Sequence, residues 1–578
     1  MSISKDRIWM KYYPEESAKL EQPKKTAYAY LKESNAERLD HIALRYYGTE
    51  ITYRTLFADI EQCAAAFAAL GVQPGEVVSV LAVAVPECIA AMYALNKLGA
   101  TANTMDPRQD KDSISRMTRE SGSRFLVVMD VAFAKIEPVL SKMAQKKLVE
   151  ISASRSLPAL KKWVMQMKTR VHIPYGKNIL TWDKFLTLGA GCTVGDAPYV
   201  GDRAFTLAHT GGTTGTPKAV MLTNDSVNAA AFNFLHCGLD AKPKDTFLGI
   251  IPVFTSYGVV CGMHMPLVMG FTLIPIPKFD PHKFGHLIRQ FKPNHMISTP
   301  AFYEMMMQSP AVKNMDLSFI ITMGSGGDTM NEGLEEKLHA FMKAHHIKYP
   351  LAQGYGMSEA SAAVSFCVNS IYKKGSVGIP SLCTTVSIFD PDTGRELDYD
   401  QVGEVCMTGM TTMKGYYHQE EETAHILRRH EDGKIWIHSG DLGYMDRDGF
   451  LYIIGRSKRM ITRFDGHKVY PYHLESMVCA MPQVRNCCVV GVKDQSHGQG
   501  DEPLVLVELA EGAESSATCR TIYEECQRRA EERGRPVAVL TMETIPLTGA
   551  GKNDFCRLSR QFHEYDYANW DPAVVGKL

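Results

Sequence analysis

Strand-like and helix-like segments alternate along this chain from about residue 50 onward, and this alternation constrains its fold most strongly. Residues 77–84 form an apolar run typical of a buried strand. The next segment predicts a helix, with Pro86 near its start and Gly99 near its end. The pattern returns at residues 124–130 and 295–300. The sequence therefore predicts an α/β fold built from layers of sheet and helix.

The length of the chain predicts more than one domain. At 578 residues it is too long for one compact core. After Asp446 the sequence pattern changes to that of short strands and turns. A smaller module of plausible domain size follows. We expect a large N-terminal domain of layered α/β subdomains over residues 1–455. A hinge over 456–460 and a small, mobile α+β C-terminal domain over 461–578 would follow it.

Charge and cysteine usage exclude some classes of protein. The net charge of −1 gives no field that would attract nucleic acid, so we expect no nucleic-acid partner. The 14 cysteines include no Cys-x-x-Cys pair, which disfavours a zinc site and predicts a reduced intracellular protein. The first 25 residues are polar and show no signal-peptide core, and Pro86 and Glu87 interrupt the longest apolar stretch. We therefore expect a cytoplasmic protein.

A basic amphipathic segment over residues 156–170 allows two interpretations. Its apolar residues fall at helical spacing, and basic residues occupy other positions. These residues are Leu157, Leu160, Trp163, Val164 and Met167, with Lys161, Lys162, Lys168 and Arg170. The segment is either a surface helix with a solvated basic face or a weak membrane-surface contact suited to a lipid-like substrate.

The most distinctive local sequence runs from Thr210 to Lys218 and suits the phosphates of a nucleotide. Its glycines let backbone N–H groups approach an anion, its threonines add hydroxyl donors, and Lys218 adds a positive charge. The loop consists of Thr210, Gly211, Gly212, Thr213, Thr214, Gly215, Thr216, Pro217 and Lys218. It is not a Walker A motif, in which Gly precedes Lys and Ser or Thr follows it, so a P-loop hydrolase is excluded. A polar surface turn is the plain alternative.

Further segments follow this loop in a fixed order. They are Pro252 to Gly258, Ser325 to Met330, Gln353 to Glu359, His438 to Gly443, Gly455 to Lys458 and Pro546 to Lys552. With the Thr210 loop, they make the chain resemble the adenylate-forming (AMP-binding) superfamily from roughly residue 25 to 562. This superfamily includes acyl-CoA synthetases, firefly-luciferase-like enzymes and peptide-synthetase adenylation domains. The acyl-CoA synthetases and fatty-acid–CoA ligases match best.

The resemblance implies a nucleotide site. In it, Tyr355 stacks on adenine, Ser358 reaches the α-phosphate, and Glu359 helps to hold Mg²⁺ through a carboxylate oxygen. Gly326 and Gly327 let the flat base lie on the backbone, whereas Asp328 either accepts from the adenine amino group or is a solvated acid. Asp441 binds the ribose hydroxyls and Arg456 contacts ribose or phosphate. The remaining segment residues, Gly354, Gly356 and Met357, line the same site.

The same resemblance assigns mobile parts. Lys458 falls at the hinge, and Gly466 faces the thiol tunnel after the domain rotates. Lys552 lies between glycines in a C-terminal loop and stabilises the attacking carboxylate and the α-phosphate by charge alone. The stretch from Arg456 to Pro471 is one residue longer than the family pattern, which leaves the roles around Gly466 open.

The acyl segment indicates the class of acid. Phe254, Thr255, Tyr257 and Gly258 align with the acyl-binding motif. Amino-acid-activating relatives commonly have Asp at the position of Thr255, where it pairs with the substrate ammonium. Because Thr255 has no charge to pair with that group, the sequence argues against an α-amino acid.

The implied activity has two half-reactions. A carboxylate attacks the α-phosphate of MgATP and pyrophosphate leaves; a thiol then attacks the acyl-adenylate and AMP leaves. The sequence thus predicts an acid–thiol ligase that uses ATP, Mg²⁺ and coenzyme A. One alternative transfers the acyl or aminoacyl group to the phosphopantetheine of a carrier protein. A non-catalytic nucleotide or lipid binder is disfavoured, because Lys552 and Glu359 are both present.

Overall fold

A computed structural model describes residues 2–142, 147–168, 172–210, 217–547 and 553–571. The α-helices of these residues, numbered α1 to α18 in chain order, are Ile3–Asp6, Ala27–Ser34, Tyr53–Leu70, Pro86–Lys97, Lys111–Glu120, Asp130–Ile136, Ala159–Lys168, Trp182–Leu188, Asn224–His236, Ser256–Val259, Met265–Val268, Phe284–Phe291, Pro300–Met307, Glu332–Ala344, Glu420–Ile426, Pro471–Cys479, Ser515–Arg529 and Phe555–Phe562.

The strands of the same residues, numbered β1 to β26, are Ile42–Tyr46, Thr49–Thr52, Val77–Leu81, Thr101–Met105, Phe125–Met129, Lys147–Ile151, Ile179–Thr181, Ala204–His209, Ala219–Thr223, Thr246–Gly249, Thr272–Pro275, His295–Ser298, Thr322–Ser325, Ala352–Tyr355, Ser365–Phe366, Ile379–Pro380, Thr384–Phe389, Gly403–Gly409, Leu427–Arg429, Ile435–Met445, Leu451–Arg456, Ile461–Thr462, Lys468–Val469, Val484–Lys493, Asp501–Leu509 and Ala538–Met542.

Two large sheets form the body of the molecule. One has the strand order β7-β6-β5-β3-β4-β8-β9 and is parallel except for the final pair. The other has the order β16-β15-β14-β13-β12-β10-β11-β1-β2 and is parallel from β14 to β1. Parallel strands joined by helices bury both sheet faces, as their near-continuous apolar sequences require. The predicted α/β fold is confirmed.

One hydrophobic core joins the two sheets. It contains Val80 of the first sheet and Phe247 of the second, together with helices α3, α4 and α9. Every residue of α4 is buried, as expected for a helix that is apolar on all sides. Even Lys97 at its end is 3% exposed, and its ammonium pairs with Glu61 at 3.1 Å and with Asp196.

Besides the short two-stranded sheet of β22 and β23, two smaller sheets follow along the chain. The order β17-β18-β20-β19 forms one, with β21 paired to β20. The other, β24-β25-β26, carries α16, α17 and α18 and has its own apolar clusters. Lys468 reaches back to Asp392 with a separation of 3.2 Å between its ammonium and the carboxylate. Within the described residues, no helix combines the length and apolar content that crossing a membrane would need.

Candidate nucleotide and acyl site

Several predicted site segments lie where parallel strands end. Gly326 follows β13, Tyr355 ends β14, and Thr210 follows β8. Ligands of parallel α/β sheets bind beyond the carboxyl ends of strands, because loops and helix starts present their backbone groups there. The topology therefore brings together segments that are far apart in the sequence.

Four buried polar atoms in or after strands β12 to β14 have no hydrogen-bond partner within the described residues. They are the hydroxyls of Ser298, Ser325 and Ser361 and the side-chain oxygen of Gln353. An unpaired buried polar group costs free energy, so such a cluster fits a site that a polar ligand completes. A nucleotide fits this requirement because it offers both donors and acceptors.

The predicted phosphate loop is closed at its base. The Thr210 N–H donates to the Lys218 carbonyl at 2.9 Å, and the Lys218 N–H donates to the Thr210 hydroxyl at 3.2 Å. Gly211, Gly212, Thr213, Thr214, Gly215 and Thr216 lie outside the described residues. His209, just before the loop, is partly buried; desolvation lowers its pKa to about 4, and its Nε2 contacts Asn103. It is therefore neutral and adds no charge beside the loop.

Lys218 and Glu359 meet through one aromatic residue. The Lys218 ammonium lies 4.8 Å from the centre of the Tyr416 ring and pairs with Glu422. The Tyr416 hydroxyl donates to Glu359 Oε1 at 2.5 Å. Burial and the nearby Glu359 carboxylate raise the pKa of Tyr416, so this hydroxyl remains a donor. The phosphate-loop lysine and the predicted metal ligand are thus held in one contact group.

Glu359 sits in a strained turn after β14. A Cβ at Gly356 would lie 1.3 Å from the Ala362 carbonyl oxygen, so only glycine fits there. Ser361 and Ala362 both have positive φ, at 52° and 78°. Met357 begins the short 3₁₀ helix Ser358–Ala360 and is partly buried. Non-glycine residues at positive φ cost energy and concentrate at functional sites.

The Glu359 carboxylate fits a hard cation. The residue is 8% exposed, and within the described residues Oε2 accepts no hydrogen bond while Oε1 accepts one. A buried carboxylate needs compensation by a partner, and Mg²⁺ takes one or two carboxylates beside substrate phosphates. Mg²⁺ would supply charge neutralisation at those phosphates.

Asp441 is the centre of a second contact group. Its Oδ2 accepts from the Tyr355 hydroxyl at 2.6 Å, and its Oδ1 lies 2.8 Å from Arg456 Nε. Asp441 and Arg456 are paired opposite each other on β20 and β21. Burial first, then the Asp441 charge, raises the pKa of Tyr355. The predicted adenine and ribose residues therefore lie together, and the end of β21 joins them to the hinge.

A carboxylate–histidine pair, Glu404 and His438, holds the backbone next to Asp441. Glu404 Oε1 accepts from the Gly440 N–H at 2.9 Å, and its Oε2 lies 2.8 Å from His438 Nδ1. Hydrogen bonding to His438 and Gly440 lowers the pKa of Glu404 despite its burial. Cys406 lies beside the same ring, with its sulfur 3.6 Å from Nδ1. These contacts fix the turn that presents Asp441.

The predicted adenine segment lies against the acyl segment. A Cβ at Gly326 would lie 3.3 Å from both the Gly354 carbonyl oxygen and the Tyr257 hydroxyl oxygen. Gly327 is exposed with a φ of 81°. Asp328 is exposed, and its carboxylate accepts from the Thr329 N–H at 2.9 Å.

The acyl segment turns sharply into helix α10. The Thr255 hydroxyl accepts from the Gly258 N–H at 3.1 Å and donates to the Pro252 carbonyl at 2.9 Å. It is the N-cap of α10, so both of its hydrogen-bonding functions serve the turn. A Cβ at Gly258 would lie 1.9 Å from the Pro252 oxygen. Phe254 is buried, and the Arg108 guanidinium lies 5.4 Å from its ring centre.

One hydroxyl pair links the acyl segment to the segment of Glu359. The Oγ atoms of Ser256 and Ser358 are 2.8 Å apart. The residue predicted to contact the α-phosphate thus lies beside the predicted acyl pocket. This is the arrangement that a reaction between a carboxylate and an α-phosphate requires, since positioning is a large part of such catalysis.

The C-terminal site residues fall in three places. Lys458 is exposed in the 3₁₀ turn Ser457–Arg459 directly after β21. Gly466, with a φ of 80°, is exposed in the turn between β22 and β23. Lys552 lies outside the described residues, but its loop is closed where Leu547 and Asn553 form a β-bridge.

Two family models match most of this chain. A model described as AMP-binding enzyme matches residues 31–417, and one described as the AMP-binding enzyme C-terminal domain matches residues 473–552. The chain is an AMP-binding enzyme. The family named from the motifs is thereby confirmed.

Relatives of this AMP-binding enzyme include CoA ligases. It is 30% identical over 565 residues to a long-chain-fatty-acid–CoA ligase of Bacillus subtilis (strain 168), covering 95% of this chain and 97% of that one. It is 27% identical to 4-coumarate–CoA ligase CCL1 of Humulus lupulus, covering 87% and 88%. The crystal structure of the anthranilate CoA ligase AuaEII with anthranoyl-AMP shares the fold, with a TM-score of 0.80, 21% identity, and 94% and 98% coverage.

Sequence reasoning missed three residues of the site. Tyr416 bridges Lys218 and Glu359, Glu422 pairs with Lys218, and Ser256 contacts Ser358. Tyr416 and Glu422 lie about 200 residues from Lys218, in a stretch without any glycine-rich or metal-type pattern. Ser256 lies inside the predicted acyl segment, and this position in the sequence is the one feature that could have marked it as a site residue.

Proposed function

We propose that this AMP-binding enzyme is an ATP-dependent acid–thiol ligase. It activates a carboxylic acid as acyl-AMP and transfers the acyl group to coenzyme A. The 2.8 Å contact between Ser256 and Ser358 carries the proposal, because it sets the acyl segment against the segment predicted to bind the α-phosphate. The CoA ligases among the relatives support the same reaction.

The acid proposed is a fatty acid or another acid without an α-amino group. Thr255 brings no carboxylate to the acyl segment, and its hydroxyl is occupied by the Pro252–Gly258 turn. A substrate ammonium would therefore lose its hydration there without gaining a charged partner. The long-chain-fatty-acid–CoA ligase relative supports a fatty acid as the first candidate.

The proposed roles follow the contacts of each residue. Glu359 holds Mg²⁺ beside the phosphates, Lys218 and the Thr210 loop bind the outer phosphates, and Tyr355, Asp441 and Arg456 bind the nucleoside. Gly326, Gly327, Gly354, Gly356 and Met357 shape its pocket, with Asp328 at the exposed rim. Phe254, Tyr257 and Gly258 line the acyl pocket. Lys552 stabilises the charge that develops during adenylation.

The two half-reactions require a domain rotation in this proposal. Residues 1–455 form the adenylating domain, 456–460 the hinge and 461–578 the mobile domain. Rotation about Lys458 would withdraw Lys552 and bring the turn of Gly466 to the site.

Transfer of the acyl group to a carrier-protein phosphopantetheine is the second candidate function. All 14 cysteines are free thiols, which supports a reducing compartment such as the cytoplasm.

A pyrophosphate-release screen tests the reaction and the acid class. Purified enzyme, ATP and Mg²⁺ are mixed with fatty, aromatic, bile-type or α-amino acids, with and without coenzyme A. We expect release with a fatty or another non-amino acid, and sustained turnover with thioester formation only when coenzyme A is present. Preferred use of α-amino acids would contradict the acid class. Adenylation without thioester formation would favour the carrier-protein candidate.

A further inference from the structure

Helix α7, residues Ala159–Lys168, presents an apolar stripe to solvent. Leu160 is 75% exposed, Trp163 60%, Val164 39% and Met167 59%. Their spacing of three and four residues puts them on one face of the helix. Scattered exposed apolar residues are ordinary, whereas four on one helical face mark an interaction surface.

This stripe is not the face that attaches the helix to the protein. Met165, about half a turn away, and Leu157 before the helix pack against the main core. The Lys161 ammonium donates to the Tyr47 carbonyl at 2.7 Å. The Ser156 hydroxyl donates to Glu87 at 2.6 Å. The helix is thus fixed by its other sides, and folding leaves the stripe without a covering partner among the described residues.

The segment that carries the stripe is rich in basic residues, although Arg155 pairs with Glu87 and Asp183. Residues 151–182 contain no Asp or Glu and six basic residues, in a chain whose net charge is only −1. These basic residues are Arg155, Lys161, Lys162, Lys168, Arg170 and Lys177. A tryptophan-bearing apolar stripe among basic residues is the pattern of a helix that lies in the interface of an anionic bilayer.

We propose that α7 binds the surface of a lipid bilayer that contains anionic phospholipids. Leu160, Trp163 and Met167 enter the boundary between headgroups and acyl chains, and the positive charge of the segment attracts the anionic headgroups. The enzyme binds in the plane of the surface and does not cross it. This contact goes beyond the ligase reaction and does not depend on which acid is activated.

Vesicle sedimentation of the full chain tests the proposal. The vesicles contain either phosphatidylcholine alone or phosphatidylcholine and phosphatidylglycerol at three to one. We expect binding to the anionic vesicles that weakens at high salt, because surface charge attraction is screened. Binding should fall about tenfold or more in Leu160→Ser/Met167→Ser and in Lys162→Gln/Lys168→Gln/Arg170→Gln. The matched control, Leu20→Ser/Met410→Ser, changes two residues that are each 45% exposed elsewhere and should bind like the wild type.

Tryptophan fluorescence locates the contact. Of the five tryptophans, Trp9, Trp182 and Trp436 are buried, Trp570 is partly buried, and only Trp163 is exposed. Anionic vesicles should shift the emission to the blue in the wild type but not in Trp163→Phe. The absence of wild-type binding to anionic vesicles would overturn the proposal. Equal loss in the control would do so too, as would a dimer in solution that the Leu160→Ser/Met167→Ser change dissociates, since the stripe would then cover a second copy.

Discussion

At the scale of single residues, a neutral tyrosine lies between two opposite charges of the cleft. Glu359 is oriented by the hydroxyl of Tyr416, and that same ring lies under the Lys218 ammonium. A carboxylate and an ammonium are therefore both present without forming a direct pair in the described structure. Glu359 keeps its charge available for a ligand, because the Tyr416 hydroxyl orients the carboxylate without neutralising it, whereas Lys218 is paired with Glu422.

Glu359→Gln tests the proposed metal site. The amide keeps an oxygen that can accept from Tyr416 but loses the negative charge that holds Mg²⁺. We expect the Mg²⁺ concentration for half-maximal adenylation to rise at least about tenfold. Even loss of a group that only hydrogen-bonds to a metal ligand typically lowers metal affinity about 10- to 100-fold. Tyr416→Phe is the matched control, since it removes the hydrogen bond and keeps the charge, and it should shift the Mg²⁺ curve less. An unchanged curve for Glu359→Gln would remove this residue from the metal site.

Lys552→Ala tests the proposed C-terminal lysine. Its expected contribution is stabilisation of charge in the adenylation step, so the rate of adenylate formation should fall about 10²- to 10³-fold. Transfer to coenzyme A from chemically supplied acyl-adenylate should keep most of its rate, because the proposed rotation withdraws Lys552 before that step. Circular dichroism should show an unchanged fold. Equal losses in both half-reactions would contradict the assigned role.

At the scale of elements, most helices and strands could be predicted from the sequence. The residues at which they end, and the parts of the fold that pack on them, could not. Pro86 does begin helix α4, but the strand predicted over 77–84 ends at Leu81, where the chain turns and the Val85 N–H donates to the Val83 carbonyl. The predicted amphipathic segment forms α7, and its apolar face proves to be exposed. Periodicity shows which residues share a face but does not show what covers that face, which depends on the tertiary fold.

The short turn after β21 tests the proposed hinge. Ser457–Arg459 form a 3₁₀ turn, whose typical φ is close to the value at which proline is fixed. Lys458→Pro is therefore expected to hold one orientation of the C-terminal domain, the adenylating one. Pyrophosphate should appear as a single burst, and the thioester step should slow by about two orders of magnitude or more.

Separate measurement of the two half-reactions decides the result for Lys458→Pro. Lys458→Ala is the matched control, because it removes the same side chain without fixing φ, and it should leave the thioester step much faster. If the proline slows neither step, or slows adenylation alone, the pivot lies elsewhere. The stretch up to Pro471, one residue longer than the family pattern, would then be the first alternative.

At the scale of the whole molecule, the site could be predicted as a set of segments but not as a set of contacts. The segments around Glu359, Asp441 and Ser358 have recognisable sequences. The pair of Lys218 with Glu422 spans 204 residues, and the stripe of α7 is set by packing on a core built from both large sheets. Such contacts follow from the order of strands in the sheets, which local patterns do not encode.

The stability of the protein should depend on pH through Glu150. Burial, and then the nearby Asp130 charge, raises the pKa of Glu150 to about 7 in the folded protein, against an ordinary 4.5. The native state holds this proton over a pH range in which the unfolded chain has released it, so stability falls as pH rises from about 4.5 to 7. Glu150→Gln removes this loss and should stabilise the protein at pH 8 by about 1–3 kcal/mol.

Urea unfolding at pH 5 and pH 8 measures the effect of Glu150→Gln. The gain should be large at pH 8 and small at pH 5, where the wild-type carboxyl is mostly protonated. Glu137→Gln, at an exposed glutamate, is the matched control and should show no such difference. The same gain at both pH values would mean that ionisation of Glu150 does not limit stability.

The contacts of Asp441 have a consequence for how tightly a nucleotide can be held. Tyr355 and Arg456 already occupy its two oxygens, so the carboxylate is never buried alone. On the proposed role, an incoming ribose competes with Tyr355 and Arg456 for the Asp441 carboxylate. Part of its binding free energy is therefore offset by the loss of these existing contacts. On that role, the exchange would keep AMP affinity moderate. After the nucleotide leaves, Tyr355 and Arg456 would pair with Asp441 again. This would favour repeated turnover over retention of the product.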